Sequence, residues 1–388
     1  MNAPRAYLDY NASAPLRESA RAAVVDALGL VGNPSSVHAE GRAARAVVEK
    51  ARRAVAGLAG AKPEQVVFTS GASEAAATLL SPDWRMGRAP VRASTLYVLA
   101  GDHPCLTAGG RFAPESIRRL PIGRDGRADL SALRQTLAEH DRAAGLPLVA
   151  LALAHNETGV VQDAEAVASI IREGGGIFVL DAVQAAGRLS LEDMLELADF
   201  LILSGHKLGG PKGVGAIVAK SDLLMPAPLL RGGGQEKGHR SGTEALPLIA
   251  GFGAAAREAI EEIREAERMT ILRSELESTI CGRISGATII GADAPARLPN
   301  TILFLLPGLI AETAQIAFDL EGVALSAGSA CSSGKVTTSA VLGAMGYGAT
   351  SGVRLSFGVD TGAAEIERFL HALDKIAGRA PGTRTRAA

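Results

Sequence analysis

Cysteine is scarce in this chain: three residues in 388, Cys105, Cys281 and Cys331, widely separated and odd in number. That excludes a disulfide framework and any Cys-x-x-Cys metal site, so a functional cysteine must act alone. Charge of one sign is also missing. Forty basic residues face 41 acidic ones, a net charge of −1, which leaves no electrostatic footprint for nucleic acid or for an anionic membrane surface. No apolar run approaches the length that spans a bilayer, and Met1 to Asp9 lacks the basic start and apolar core of a signal peptide. The expectation is a cytoplasmic protein with no nucleic-acid and no membrane partner. His38, His155 and His239 share no metal-ligand spacing with one another or with a cysteine, so no dedicated metal site is expected.

What is present is a chain that can bury a large core: 47% of its residues are hydrophobic and 21% charged. Strand-like runs at Gln65 to Ser70, Thr95 to Ala100, Leu148 to Ala154, Ile177 to Asp181, Phe200 to Ser204 and Val214 to Ala219 alternate with helical stretches such as Gly41 to Leu58 and Ser131 to Ala144. The alternation predicts an α/β fold. Because the apolar runs are continuous, the strands should be covered on both faces, as in a mostly parallel sheet with flanking helices. A long helical segment, Leu246 to Ile280, should lead from the sheet domain into a smaller α+β domain, with the boundary near Ile260. This gives residues 15–260 as the large domain, and 1–14 with 261–388 as the small one. Arg379 to Ala388 read as a frayed tail.

In an open parallel sheet, ligands collect at the carboxyl ends of strands. Lys207 stands just past such an end, after Phe200 to Ser204 and before the turn Gly209-Gly210-Pro211-Lys212-Gly213. A lysine partly desolvated there could form a Schiff base, although a lysine in a turn is ordinarily solvated. Lys212, inside the glycine turn, is the poorer rival. The other strand ends are polar too. Thr69 to Glu74 opens a helix placed at Ala75 to Leu80, with free amides and the Ser73 hydroxyl suited to a phosphate. His103 and Asn156 follow the next two strands. Asp181 ends Ile177 to Leu180 with Gln184 one helical turn on, so a carboxylate that could pair with a pyridinium nitrogen projects beside an amide. Ser204, His206 and Thr243 could add phosphate donors. Taken singly, each is ordinary cap or turn chemistry. Together, a phosphate cup, an aromatic stacking partner, a pyridinium carboxylate and a lysine occur in the order expected for pyridoxal phosphate (PLP).

Ser204-Gly-His-Lys207 with Pro211-Lys-Gly-Val-Gly215, and Asp181-Ala-Val-Gln184 before it, resemble the NifS/IscS-type cysteine desulfurases of the class V aminotransferase family. Further matching motifs are Tyr7 to Ala12, Gly32 to His38, Asn156 to Gly159, Arg231 to Glu236, Arg240 to Glu244, Leu298 to Thr301 and Gly328 to Gly334. The resemblance implies a type I PLP-dependent transferase fold and a homodimer with its active site at the subunit interface. It also implies conversion of L-cysteine to L-alanine, with the sulfur left on the enzyme.

Carried over by position, Lys207 would hold PLP as a Schiff base and shuttle the Cα proton. His103 would stack on the ring and act in acid/base steps, and Asp181 would hold the pyridinium charge. Gln184 would contact the ring hydroxyl, Asn156 the hydroxyl or the substrate, and Ala72, Ser73, Ser204 and His206 the phosphate, joined by Thr243 across the interface. Arg354 would grip the substrate carboxylate, with Asn11 a further substrate-pocket candidate. Cys331, among small residues that suit a mobile exposed loop, would take the sulfur as a persulfide and pass it to an acceptor or iron-sulfur scaffold protein docking nearby.

Cys105 is set aside as nucleophile because it adjoins the stacking His103 and free cysteine is more often buried filler. Cys281 ends a helical stretch and is read as structural. Ser73 stands where the family has threonine, Ala75-Ala76-Ala77 replaces a more polar run, the stretch from Cys331 to Arg354 is shorter than in IscS-type members, and Val359 replaces an arginine. These departures bear on loop reach and partner docking rather than on PLP. Two alternatives remain open: another class V enzyme, such as a selenocysteine lyase or β-lyase, in which Cys331 is dispensable, and a non-catalytic scaffold.

Overall fold

The computed structural model describes residues 5–327, 338–348, 350 and 352–379. Cys331 and the tail beyond residue 379 lie outside the described residues.

The principal sheet has nine strands. In spatial order they are Leu224–Pro226, Asp83–Met86, Ala89–Leu99, Leu146–Ala152, Ile177–Asp181, Phe200–Ser204, Gly215–Ala219 and Val66–Thr69, with Ile117–Leu120 also paired to Ala89–Leu99. Its centre, Ile117–Leu120 through Phe200–Ser204, is parallel. Both flanks are antiparallel, including Gly215–Ala219 against Phe200–Ser204 and Val66–Thr69 against Gly215–Ala219.

The continuous apolar runs have a simple cause. Leu201 and Leu203 point into one core, with Val149, Leu151, Phe178 and Leu180, while Phe200 and Ile202 point into a second, with Leu148, Ala150, Ile177 and Val179. A strand buried on both faces has no polar side to reveal its period. The three strands without such a run, Asp83–Met86, Ile117–Leu120 and Leu224–Pro226, are short segments at the Ala89–Leu99 side of the sheet. Their exposed residues include Arg85, Arg118 and Arg119.

Helices close the faces. Ala39–Leu58 begins two residues earlier than its pattern suggests because the His38 ring accepts from the Gly41 amide. It packs against Leu246–Glu262, where a Cβ on Gly253 would lie 2.5 Å from Ala51 Cα, so only glycine allows that approach. The expected long helix from Leu246 is not continuous. A 3-10 turn at Ile263–Glu265 separates it from Ala266–Arg283, where the buried face passes from Ala259 in the first core to Met269, Leu276 and Ile280 in another. That further core lies under a four-stranded antiparallel sheet, ordered Thr288–Ile289, Thr301–Leu305, Val353–Ser356 and Ser326–Ala327. Phe304, Phe318 and Phe369 are at its centre. The N-terminal strand Ala6–Tyr7 joins this part of the molecule by parallel pairing with Val323–Ala324. The chain then crosses to the main sheet through Asn11, Ala12 and Ser13. Among the described residues, no helix is long and apolar enough to cross a membrane.

Candidate active site

Lys207, His103, Ala72, Ser73, Asn156, Asp181, Gln184, Ser204, His206, Arg354 and Asn11 line one cavity of about 510 Å³ at the carboxyl ends of the parallel strands. Thr243 is exposed and stands off this wall within a single chain.

Part of the cavity wall is built from donors. The helix that follows Val66–Thr69 runs Ala72–Leu79, three residues earlier than expected, and its Gly71 N-cap supplies no side-chain acceptor to the first turn. The amides of Ala72 and Ser73 therefore belong to a helix N-terminus that suits an anion. Ser204, the last residue of its strand, and His206 line the same cavity, and His206 Nδ1 lies 3.3 Å from Ser13 Oγ. Burial, with Lys207 and Lys212 adding to it, lowers the His206 pKa to about 4. Its ring is thus neutral near pH 7. Lys212 reaches the wall from an exposed turn position.

The same cavity holds a desolvated carboxylate. Asp181 is buried at its strand end and accepts from the Val183 amide at 2.9 Å. Burial pushes its pKa up to about 6, against the opposing pull of that amide and of Lys207. The chain beyond Asp181 does not start a helix: residues 182–185 form a turn. Gln184 is set in place by Arg188, which donates to its side-chain oxygen at 2.9 Å and to its carbonyl at 2.8 Å. Gln184 Nε2 in turn donates to the Asn11 carbonyl at 3.0 Å.

Lys207 occupies the 3-10 turn Gly205–Lys207, and its Nζ donates to the carbonyls of Asn11 and Ala12 at 2.7 and 2.9 Å. His103 caps the short helix Pro104–Thr107, with Nδ1 accepting from the Cys105 amide at 3.2 Å. Burial, then the neighbouring Lys207 and His155, lowers the His103 pKa to about 4. The neutral ring therefore carries its proton on Nε2. Cys105 is not buried filler: half-buried, it lines the cavity with Sγ 4.0 Å from Asp181 Oδ2. Cys281 is exposed near the end of its helix, which gives it no packing role of the expected kind.

Arg354, on Val353–Ser356, is 2% exposed. It donates to Asp9 at 2.7 Å, Ser326 Oγ at 3.0 Å and the Asn156 carbonyl at 3.2 Å, while its buried Nε has no partner among the described residues. A buried guanidinium with spare donor capacity at a cavity wall suits a carboxylate. Asn11 is a junction rather than a free ligand, since Nδ2 donates to Thr301 Oγ1 at 2.9 Å and the Asn156 carbonyl at 3.1 Å.

Sequence reasoning did not single out Asp9, which holds Arg354, or Arg188, which holds Gln184. Asp9 lay inside the motif Tyr7 to Ala12 and could have been found there. Arg188 carried no local signal.

An Aminotransferase class-V family profile matches residues 6–369. The chain belongs to that family. Within it, the chain is 37% identical over 381 residues to a cysteine desulfurase of Cereibacter sphaeroides, covering 96% of this chain and 95% of the relative. It is 38% identical over 378 residues to a cysteine desulfurase of Frankia sp. strain EuIK1, covering 93% and 88%. A solved NifS-like protein from Rickettsia africae ESF-5 superposes with a TM-score of 0.84 at 28% identity, covering 96% of this chain and 99% of that one. The doubly covered sheet and the smaller antiparallel sheet are thus the architecture of NifS-like members of the family.

Proposed function

We propose that this chain is a PLP-dependent cysteine desulfurase that converts L-cysteine to L-alanine and retains the sulfur as a persulfide on Cys331. The observation that carries the reading is the polarity of the cavity. Amide, hydroxyl and imidazole donors, a desolvated Asp181 and the Lys207 amine line one and the same cavity. That donor set fits a group with a phosphate at one end and a cationic ring nitrogen at the other. Ala72, Ser73, Ser204 and His206 would hold the phosphate, Asp181 the ring nitrogen, Lys207 the aldehyde carbon, His103 the ring face, and Gln184 with Asn156 the ring hydroxyl.

When bound, PLP supplies an electron sink that makes the substrate Cα proton removable. The chain's own groups do the rest. Arg354 fixes the substrate carboxylate, which orients the Cα–H bond toward the Lys207 side of the cavity. Lys207 Nζ carries the proton. His103, neutral near pH 7, can accept a proton at Nδ1 or give one from Nε2. The Cys331 thiolate attacks the substrate sulfur, the C–S bond breaks, and the carbon takes up protons. Cysteine plus enzyme thiol thus becomes alanine plus enzyme persulfide, with atoms and electrons balanced.

Thr243, exposed and off its own chain's cavity wall, supports a homodimer in which each subunit completes the other's phosphate site. Exposed apolar residues at Leu28, Val31 and Val37 support the same reading. The persulfide would pass to an acceptor protein for iron-sulfur assembly or thiolation in a reducing, cytoplasmic setting. The large domain would comprise residues 15–260, and the small domain residues 1–14 with 261–388. The deciding experiment incubates the holoenzyme with L-cysteine, quantifies alanine, and locates the persulfide by mass spectrometry. Absence of alanine would remove the reading, and full sulfide release by Cys331→Ala would favour a lyase.

A further inference from the structure

Glu157, the neighbour of Asn156, has no role in the chemistry above, yet its carboxylate is only 4% exposed. Its Oε2 accepts from Ser339 Oγ at 2.8 Å, and Ser339 is itself 1% exposed. A buried hydroxyl-to-carboxylate bond of this kind is strong, and removing either partner leaves a desolvated polar group behind. The same hydroxyl caps the helix Ala340–Ala344 by accepting from the Leu342 amide at 3.3 Å, and the Ser339 amide donates to the Thr350 carbonyl at 3.0 Å.

The position of this pair in the chain gives it meaning. Ser339 lies two residues beyond 328–337, the stretch that contains Cys331. The other flank is also tied down. Ser326 Oγ donates to Asp9 at 2.8 Å and accepts from Arg354, which donates to the Asn156 carbonyl. Both flanks of the cysteine-bearing stretch therefore attach to adjacent residues, 156 and 157, of one loop.

That loop is itself held firmly. His155 Nδ1 accepts the amides of Glu157 and Thr158 at 3.2 and 3.4 Å, which leaves Nε2 to donate to the Gly101 carbonyl at 2.9 Å. Gly101 has φ +97°, and a Cβ there would lie 2.6 Å from Val341 Cα. The helix that Ser339 starts thus rests directly on the segment leading to His103.

We propose that Glu157 is a positioning residue for sulfur transfer: through Ser339 it fixes the chain on the carboxyl side of the stretch that contains Cys331. The proposal rests on the desulfurase reading. Its physical basis is that a thiol must meet the substrate sulfur in line with the breaking bond, and small errors of placement in such a step carry a large rate penalty. Cofactor binding and Cα deprotonation use Lys207, Asp181 and His103, none of which bonds to Glu157 or Ser339 through a side chain in the network just described.

The test uses the full-length holoenzyme and the variants Glu157→Ala, Ser339→Ala and Glu157→Gln. Three readouts are taken: the cofactor absorbance, exchange of the L-alanine Cα proton with deuterated solvent, and single-turnover persulfide formation at Cys331 by mass spectrometry. Both alanine variants should form persulfide about tenfold more slowly, the scale of one hydrogen bond to a charged acceptor. Their absorbance and Cα exchange should stay within about twofold of wild type. Glu157→Gln, whose amide oxygen can accept the same hydroxyl, should restore most of the rate. Should Glu157→Ala fail to fold, Ser339→Ala carries the comparison. Unchanged persulfide formation in the alanine variants would overturn the proposal, as would a parallel loss of Cα exchange, which marks general damage. A wild-type protein that makes neither alanine nor persulfide would instead overturn the desulfurase reading and the positioning role with it.

Discussion

Lys207 Nζ lies 2.7 Å from the carbonyl oxygen of Asn11, across the join between the main sheet and the N-terminal segment. Asn11 also receives Gln184 at the same carbonyl and is bound to Thr301 of the smaller sheet. The amine is therefore held at the point where both sheets meet, by backbone acceptors that leave it beside the cavity.

Lys207→Ala should lose the visible absorbance of covalently held cofactor and at least about a thousandfold in alanine formation, the range for removal of a proton-transferring side chain that is also the anchor. Borohydride reduction followed by peptide mass mapping checks the attachment: the pyridoxyl adduct should appear on the Lys207 peptide and not on that of Lys212.

Cys331→Ala should abolish the stable persulfide, whereas Cys105→Ala should leave it in place. The Cys105 Sγ lies 4.0 Å from Asp181 Oδ2 on the cavity wall, beside the residues that would hold the cofactor ring rather than on a loop that could carry sulfur to an acceptor. Finding the persulfide on Cys105 after a single turnover would reverse this assignment.

Cofactor retention should weaken as pH falls through about 6, where Asp181 takes up a proton. The sign follows from the raised value. The folded apo-protein binds this proton more readily than the unfolded chain does, so the stability it contributes is lost as pH rises through about 6. Above that pH the carboxylate is ionised in a desolvated site and favours a cationic ring nitrogen. His103 acts in the opposite sense on the fold: its pKa is lowered from 6.5 to about 4, so stability falls as pH drops below 6.5. Equilibrium dialysis of PLP between pH 5 and 8 should show the step in the wild type and its loss in Asp181→Asn.

Arg354→Lys should raise KM for L-cysteine by roughly ten- to a hundredfold, because lysine cannot reproduce the planar fork and leaves Asp9, Ser326 or Asn156 short of a donor. Arg354→Ala should in addition destabilise the fold by about 3 kcal/mol, since it strands the partly buried Asp9 charge. Steady-state kinetics separates the first effect, and thermal unfolding of the apo-protein measures the second.

Much of the site was legible because its residues sit at strand ends. Asp181, Ser204 and Lys207 follow runs whose apolar character gave away the strands exactly or nearly so. The α/β alternation was legible for the same reason. The strands Asp83–Met86 and Ile117–Leu120 were not, because short strands whose side chains are largely exposed need no apolar run. The turn at residues 182–185 was not legible, because the Arg188 side chain that holds Gln184 from four residues on carries no periodic pattern.

By itself, then, the sequence determined which chemical groups are present and which strand each one follows, since buried strands announce themselves through composition and polar residues at their ends stand out against it. Only the tertiary structure decided which groups face one another. Asp9 with Arg354 and Glu157 with Ser339 join residues far apart in the chain, whose pairing depends on desolvation and on how distant segments pack together. Neither quantity is a local property of the chain, so neither can be read from the order of its residues.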